Sequence, residues 1–268
     1  MFASSTQSPR LLTRLAGWLP ALAVFVGFIV AWQATVIAFD IRRFILPAPL
    51  AIGEAFVTYF DEILTAARYT AVEAVGGLLI GISSGIGVGL LTARWVSVRE
   101  ALLPFSIAFN SVPIIALAPI MNNWFGLANP VSKMMIAAIL VFFPVMINTV
   151  RGLTTVEPAA LELMRSTAAS DVTVLRKVRL PNALPFIFTA LKVAAVLATI
   201  GAIVGEYFGA PSASLGQYIV QHAAYFNFER SWAAIIAAAA IGISLYVSVL
   251  VLERLMMPWH SSIRGQES

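Results

Sequence analysis

Apolar runs long enough to cross a bilayer recur along this chain, and that recurrence restricts the fold more than any other feature. The first covers residues 17–39, and others follow at about 71–93, 102–125, 130–150, 186–207 and 233–252. A transmembrane helix needs about 20 predominantly apolar residues. Lipid also admits only backbones whose polar groups are satisfied internally, so each run predicts a helix rather than a strand or loop. The expected fold is all-α, a polytopic membrane bundle of about six transmembrane helices forming a single domain over residues 1–268. Composition agrees, since 11% of residues are charged against roughly 25% in soluble domains. The first run follows Arg10 and Arg14, as a signal peptide would. It exceeds the about 7–15 apolar residues of such a signal and lacks a clear small-residue cleavage site, so it reads as a retained anchor.

Basic residues orient the expected bundle. With six spans both termini share a side, and that side, with the 94–100 turn and the 154–185 segment, holds Arg10, Arg14, Arg94, Arg99, Arg151, Arg165, Arg176, Lys177, Arg179, Arg254 and Arg264. The opposite side holds only Arg42, Arg43, Arg68, Lys133 and Arg230. The positive-inside rule then predicts cytoplasmic N- and C-termini in a plasma membrane. The net charge of +4 comes without a basic stripe interleaved with aromatics, which excludes nucleic acid as a partner. The chain has no cysteine, so it offers no disulfide, thiolate metal site or cysteine nucleophile. His222 and His260 lack ligand partners at metal spacing, and no metal site is expected.

Several local patterns refine this picture. Residues 41–69 mix charges and prolines with apolar residues at helical spacing, which predicts a segment on the membrane surface or packed on the bundle, not a span. Gly77, Gly81, Gly85 and Gly89 fall on one helix face and permit close backbone approach, either to another helix of the chain or to a second subunit. Pro104, Pro113 and Pro119 interrupt the third run, which membranes tolerate where protein or a water-filled path satisfies the freed carbonyls. Candidate path residues are therefore Asn110, Ser111, Pro113, Asn122, Asn123 and Trp124, with Trp124 also readable as an interfacial belt residue. Glu206, near the end of the fifth run, either gates or contacts a solute or simply meets water. Glu73 is expected to reach the interface and Lys192 to snorkel.

The segment 154–185 is a charged, helix-patterned insert in an otherwise oil-soluble sequence. Pro158 suits a first helical turn, and Leu161, Met164 and Ala168 share a face, with Glu162, Arg165 and Ser166 on the other. Ala168 and Ala169 then break the helix, and Ser170 or Asp171 caps a second one whose apolar face is Val174, Leu175 and Val178. Pro181 is expected to stop that helix and Pro185 to mark the return into the membrane. A basic amphipathic helix of this kind suits either anionic lipid or a protein partner.

The wording ELMRSTAASDVTVLRKVRLP resembles the loop that identifies permease subunits of ATP-binding-cassette importers, where Glu-Ala-Ala, a glycine and a terminal Leu-Pro occur at fixed spacing. Glu162, Leu180 and Pro181 match; Leu163 and Met164 replace the two alanines, and Ala168 stands where the family has glycine. The stretches 111–126, 142–153 and 201–220 are similar to the nitrate, sulfonate, taurine and thiamine-precursor branch, so the resemblance covers nearly the whole chain. It implies a homodimer or paired permease, a separate ATPase dimer gripping the loop through Glu162, Arg165, Ala168, Ala169, Ser170, Asp171, Leu175, Leu180 and Pro181, and a solute-binding protein on the other side. ATP and Mg would belong to that ATPase, because this chain has no phosphate-binding G-x-x-x-x-G-K-[ST] loop and is not itself expected to be an enzyme. Glu73, the ELMRS wording and ERLMMPWH lean toward permeases for pyrimidine thiamine precursors or riboflavin. An ion-driven transporter would instead place paired ionisable groups near the midplane, often in two related halves, and neither is evident.

Overall fold

A computed structural model describes residues 10–95, 112–211 and 213–258, with Glu100, Pro104 and Ala108. Regular structure among them is helical: α1 Arg10–Ala38, α2 Pro49–Thr58, α3 Phe60–Arg94, α4 Ile114–Phe125, α5 Pro130–Thr154, α6 Pro158–Ser166, α7 Asp171–Val174, a π-helical turn Leu175–Arg179, α8 Leu180–Tyr207, α9 Leu215–Ala224 and α10 Phe228–Met256. Five stretches, within α1, α3, α5, the continuous α7–α8 helix and α10, are long and apolar enough to cross a membrane. The third expected span is described only as α4, and Asn110, Ser111 and His260 lie outside the described residues.

Helix α5 is the centre of the bundle, flanked along its length by α3 and α8. The glycine stripe of α3 makes this contact possible. A Cβ added at Gly81 would stand 2.6 Å from Val141 Cβ, and one at Gly85 would stand 2.9 Å from the Phe142 carbonyl. A Cβ at Gly201 of α8 would likewise stand 2.6 Å from Ala137 Cα of α5. The stripe therefore packs within the chain. Such backbone-to-backbone contact gains dispersion energy in lipid, where the hydrophobic effect does not drive helices together.

Segment 41–69 is packed into the bundle and not confined to a surface. Ile52 and Ala55 of α2 and Ile63 and Ala66 of α3 join Leu215, Tyr218 and Ala233 in one core cluster. The third helix begins at Phe60, earlier than its apolar run suggests. Asp61 and Glu62 sit in its first turn, where carboxylates favour the helix N-terminus, so these charges start the helix.

A second correction concerns Pro181, which does not end a helix. The chain passes through the π turn, in which the Leu180 N–H reaches the Leu175 carbonyl, and continues into α8 with Pro181 in its first turn and Pro185 inside it. The wider turn lets the helix continue where a proline supplies no N–H.

Candidate coupling loop and buried charge cluster

The α6–α7 loop stands at one end of the bundle, here the loop end. Helix α6 closes with paired bonds, Ala169 N–H to Met164 O at 3.0 Å and Ala168 N–H to Arg165 O at 2.9 Å. This is a Schellman closure, which needs a left-handed residue at its centre. Ala168 supplies it with φ 50°, although it carries a Cβ. The position that resembles the family's glycine therefore keeps the glycine conformation. Ser170 then caps α7 by accepting from Thr173 N–H, as its side chain suggests.

Glu162, Arg165, Ala168, Ser170, Asp171 and Pro181 are exposed, whereas Ala169, Leu175 and Leu180 are half-buried against the bundle. The tip also presents Leu163 and Val172 to the surroundings, 65% and 63% exposed. Leu163 stands where the family has an alanine, and Val172 matches no family position. The loop is held to α5 by Asn182, whose Nδ2 donates to Gly152 O at 2.8 Å and Thr155 O at 2.9 Å.

The path candidates divide. Pro113, Asn123 and Trp124 are exposed on α4, whereas Asn122 is buried with its Nδ2 donating to Phe208 O at 3.3 Å. Glu206 is wholly buried and its carboxylate is engaged by the chain itself. Its Oε1 accepts from Thr70 Oγ1 at 2.6 Å, and its Oε2 accepts from the Gly216 N–H at 2.6 Å. Thr70 in turn accepts from the Leu215 N–H at 3.0 Å. The Glu73 carboxylate lies beside it, also fully buried, and among the described residues neither of its oxygens meets a hydrogen-bond donor. Lys133, likewise fully buried, faces both acids and donates to the Leu127 carbonyl. Glu73 thus does not reach an interface, and the chain does hold a carboxylate pair, at the end where α5 begins and α8 ends. Lys192 does not snorkel freely either; it pairs with Glu253 of α10 at 2.9 Å.

Near the charge cluster, at the end opposite the loop, an open cleft of about 640 Å³ is lined by Asp61, Glu62, Thr65, Tyr218, Gln221 and His222. Burial and the neighbouring Glu62 push the Tyr218 hydroxyl up to about 12. Burial, then Arg230, lowers the His222 imidazole below its ordinary value, so it stays neutral near pH 7. Arg230 itself lies over the Tyr59 ring, 3.2 Å from its centroid.

A membrane bundle with a self-anchored loop between two central spans matches one family closely. The description of the binding-protein-dependent transport system inner membrane component fits residues 62–258. This chain belongs to that family. The permease is 33% identical over 264 residues to the riboflavin transport system permease protein RibX of Chloroflexus aurantiacus, covering 95% of this chain and 96% of that protein. It is 29% identical to the formylaminopyrimidine transport permease protein ThiX of Halalkalibacterium halodurans, covering 88% and 93%. A putative aliphatic sulfonates transport permease protein SsuC of Bacillus subtilis is 28% identical, covering 93% and 90%. Among solved structures, the inward-facing MetNI methionine transporter superposes with a TM-score of 0.63 at 16% identity, covering 74% of this chain and 97% of that one, which is a likeness of fold. The chain is a multi-pass ABC importer permease subunit and not an enzyme.

Proposed function

We propose that this permease forms the translocation path of an ATP-driven importer whose energy arrives through the 154–185 loop. The observation that carries the reading is the exposed Leu163 and Val172 tip on a loop fixed to α5 by Asn182. A separate ATPase dimer holding ATP and Mg would seat that tip in a groove. Its closure would act on α5 and α8 as a rigid lever, because the loop connects these two helices. In this reading the loop end faces the cytoplasm, with both termini, and the α9 end faces a solute-binding protein. A second copy of the chain would cover exposed apolar residues such as Ile115 and Trp124 of α4 and complete the path.

The solute best supported is a flat heterocycle, a pyrimidine thiamine precursor or riboflavin, because the riboflavin relative shares the higher identity over nearly the whole length. A sulfonate, taurine or nitrate solute is the second reading, favoured by the sulfonate relative. Thermal-shift screening of the cognate binding protein against riboflavin, formylaminopyrimidine, taurine and nitrate separates them. Stabilisation by riboflavin or the pyrimidine is expected, and stabilisation by taurine or nitrate alone would replace this assignment.

A further inference from the structure

We propose that α9 is a second coupling element, at the end of the bundle opposite the loop, and that Glu206 is the positioning residue that latches it to the spanning helices. Helix α9 is too short to span, and its residues Tyr218, Gln221 and His222 line the open cleft beside Asp61 and Glu62. Its first turn is held by groups from elsewhere in the bundle. The Leu215 N–H goes to Thr70 of α3 and the Gly216 N–H to the Glu206 carboxylate of α8, whereas the Gln217 N–H goes to the helix's own cap, Ser214 Oγ, at 3.5 Å. Gln217 Nε2 also donates to the Glu206 backbone carbonyl at 2.7 Å.

Each oxygen of Glu206 therefore has a different partner. One is tied to α3 through Thr70, and the other is tied to α9. Bonds from a carboxylate to a helix N-terminus are charge-assisted and short, and here they are sealed from solvent. Gly216 permits the approach, since a Cβ there would stand 2.8 Å from Glu206 Oε2. Lys133 of α5 lies beside both acids. A displacement of α9 is thus shared by α3, α5 and α8, the same three helices that form the centre of the bundle.

The proposal rests on the permease reading, in which a solute-loaded protein bears on this face. Contact at the cleft would shift α9, and the Glu206 latch would pass that shift to the path helices while the loop passes the ATPase motion from the other end.

The test uses the complete importer isolated with its ATPase and binding protein, comparing Glu206→Gln, Thr70→Val and Thr70→Ser. Two quantities are read: amide hydrogen exchange across 214–224, and the ratio of ATP hydrolysis with and without the binding protein. Glu206→Gln is expected to raise exchange at 215–217 at least tenfold and to reduce the stimulation ratio at least fivefold. Thr70→Val shifts both in the same direction, and Thr70→Ser, which keeps the hydroxyl, restores them. If Glu206→Gln does not assemble, Thr70→Val and Gly216→Ala carry the same expectation. Wild-type exchange and wild-type stimulation in these variants would overturn the latch. A wild-type complex that shows no stimulation at all would instead count against the permease reading, and the exchange data would still decide the latch.

Discussion

The Gly216 amide donates to the Glu206 carboxylate at 2.6 Å, joining the first turn of α9 to the last turns of α8 across a bend of the chain. The bond exists because residue 216 has no side chain. Glu206 is thereby a structural tie in this conformation, and of the path candidates among the described residues Pro113, Asn123 and Trp124 are the exposed ones.

Ala168→Gly should stabilise the α6–α7 turn. An L-residue with φ 50° carries a strain of about 1 kcal/mol that glycine does not. Hydrogen exchange of the Ala168 and Ala169 amides, which close the Schellman motif, should slow by up to about fivefold. Unchanged or faster exchange would show that the turn is not strained.

Glycines of α3 should differ by position. Gly81→Leu forces a side chain into Val141 and the Ala138 carbonyl and should cost about 1–3 kcal/mol, seen as lost monodisperse yield in detergent. Gly87 faces open space, so Gly87→Leu should be nearly neutral.

Breaking one side of the Lys192–Glu253 pair should cost more than removing both charges. Lys192→Met leaves Glu253, 8% exposed, without a cation and should lose up to about 3 kcal/mol of thermal stability. Lys192→Met with Glu253→Gln should recover most of it. Equal losses in the single and double variants would mean the pair is not coupled.

Acid should loosen α9. The folded state holds His222 below its ordinary value, so the unfolded segment binds a proton first as pH falls through about 6.5. The stabilisation is complete above that value and declines below it. Protection in peptides over 215–224, with exchange corrected for its intrinsic pH dependence, should therefore fall between pH 7.5 and 5.5, and His222→Asn should flatten that fall.

Much of the architecture was legible in the chain because lipid imposes strict rules. Run length marked five of the six expected spans, the four-residue glycine spacing marked the close face of α3, and of Ser170 and Asp171 as candidate caps it is Ser170 that starts the helix. Pro181 misled because the π turn just before it carries the helix through into α8, and local pattern carries no signal for that. The charge cluster stayed hidden for a different reason. Thr70 with Glu73, Lys133, and Glu206 with Gly216 come from three well-separated stretches of the chain and meet only once α3, α5, α8 and α9 are assembled. The clue within reach was the glycine ten residues after a glutamate at the end of a span.

Under the proposed function the 154–185 loop delivers the energy of a separate ATPase to this path. Reconstituting the chain in proteoliposomes with and without its ATPase and binding protein, and measuring solute uptake together with ATP hydrolysis, tests it most directly. The account predicts uptake only with the full set and ATP, and hydrolysis without uptake when Glu162→Arg is introduced or residues 168–176 are deleted. Uptake by the chain alone without ATP would contradict it.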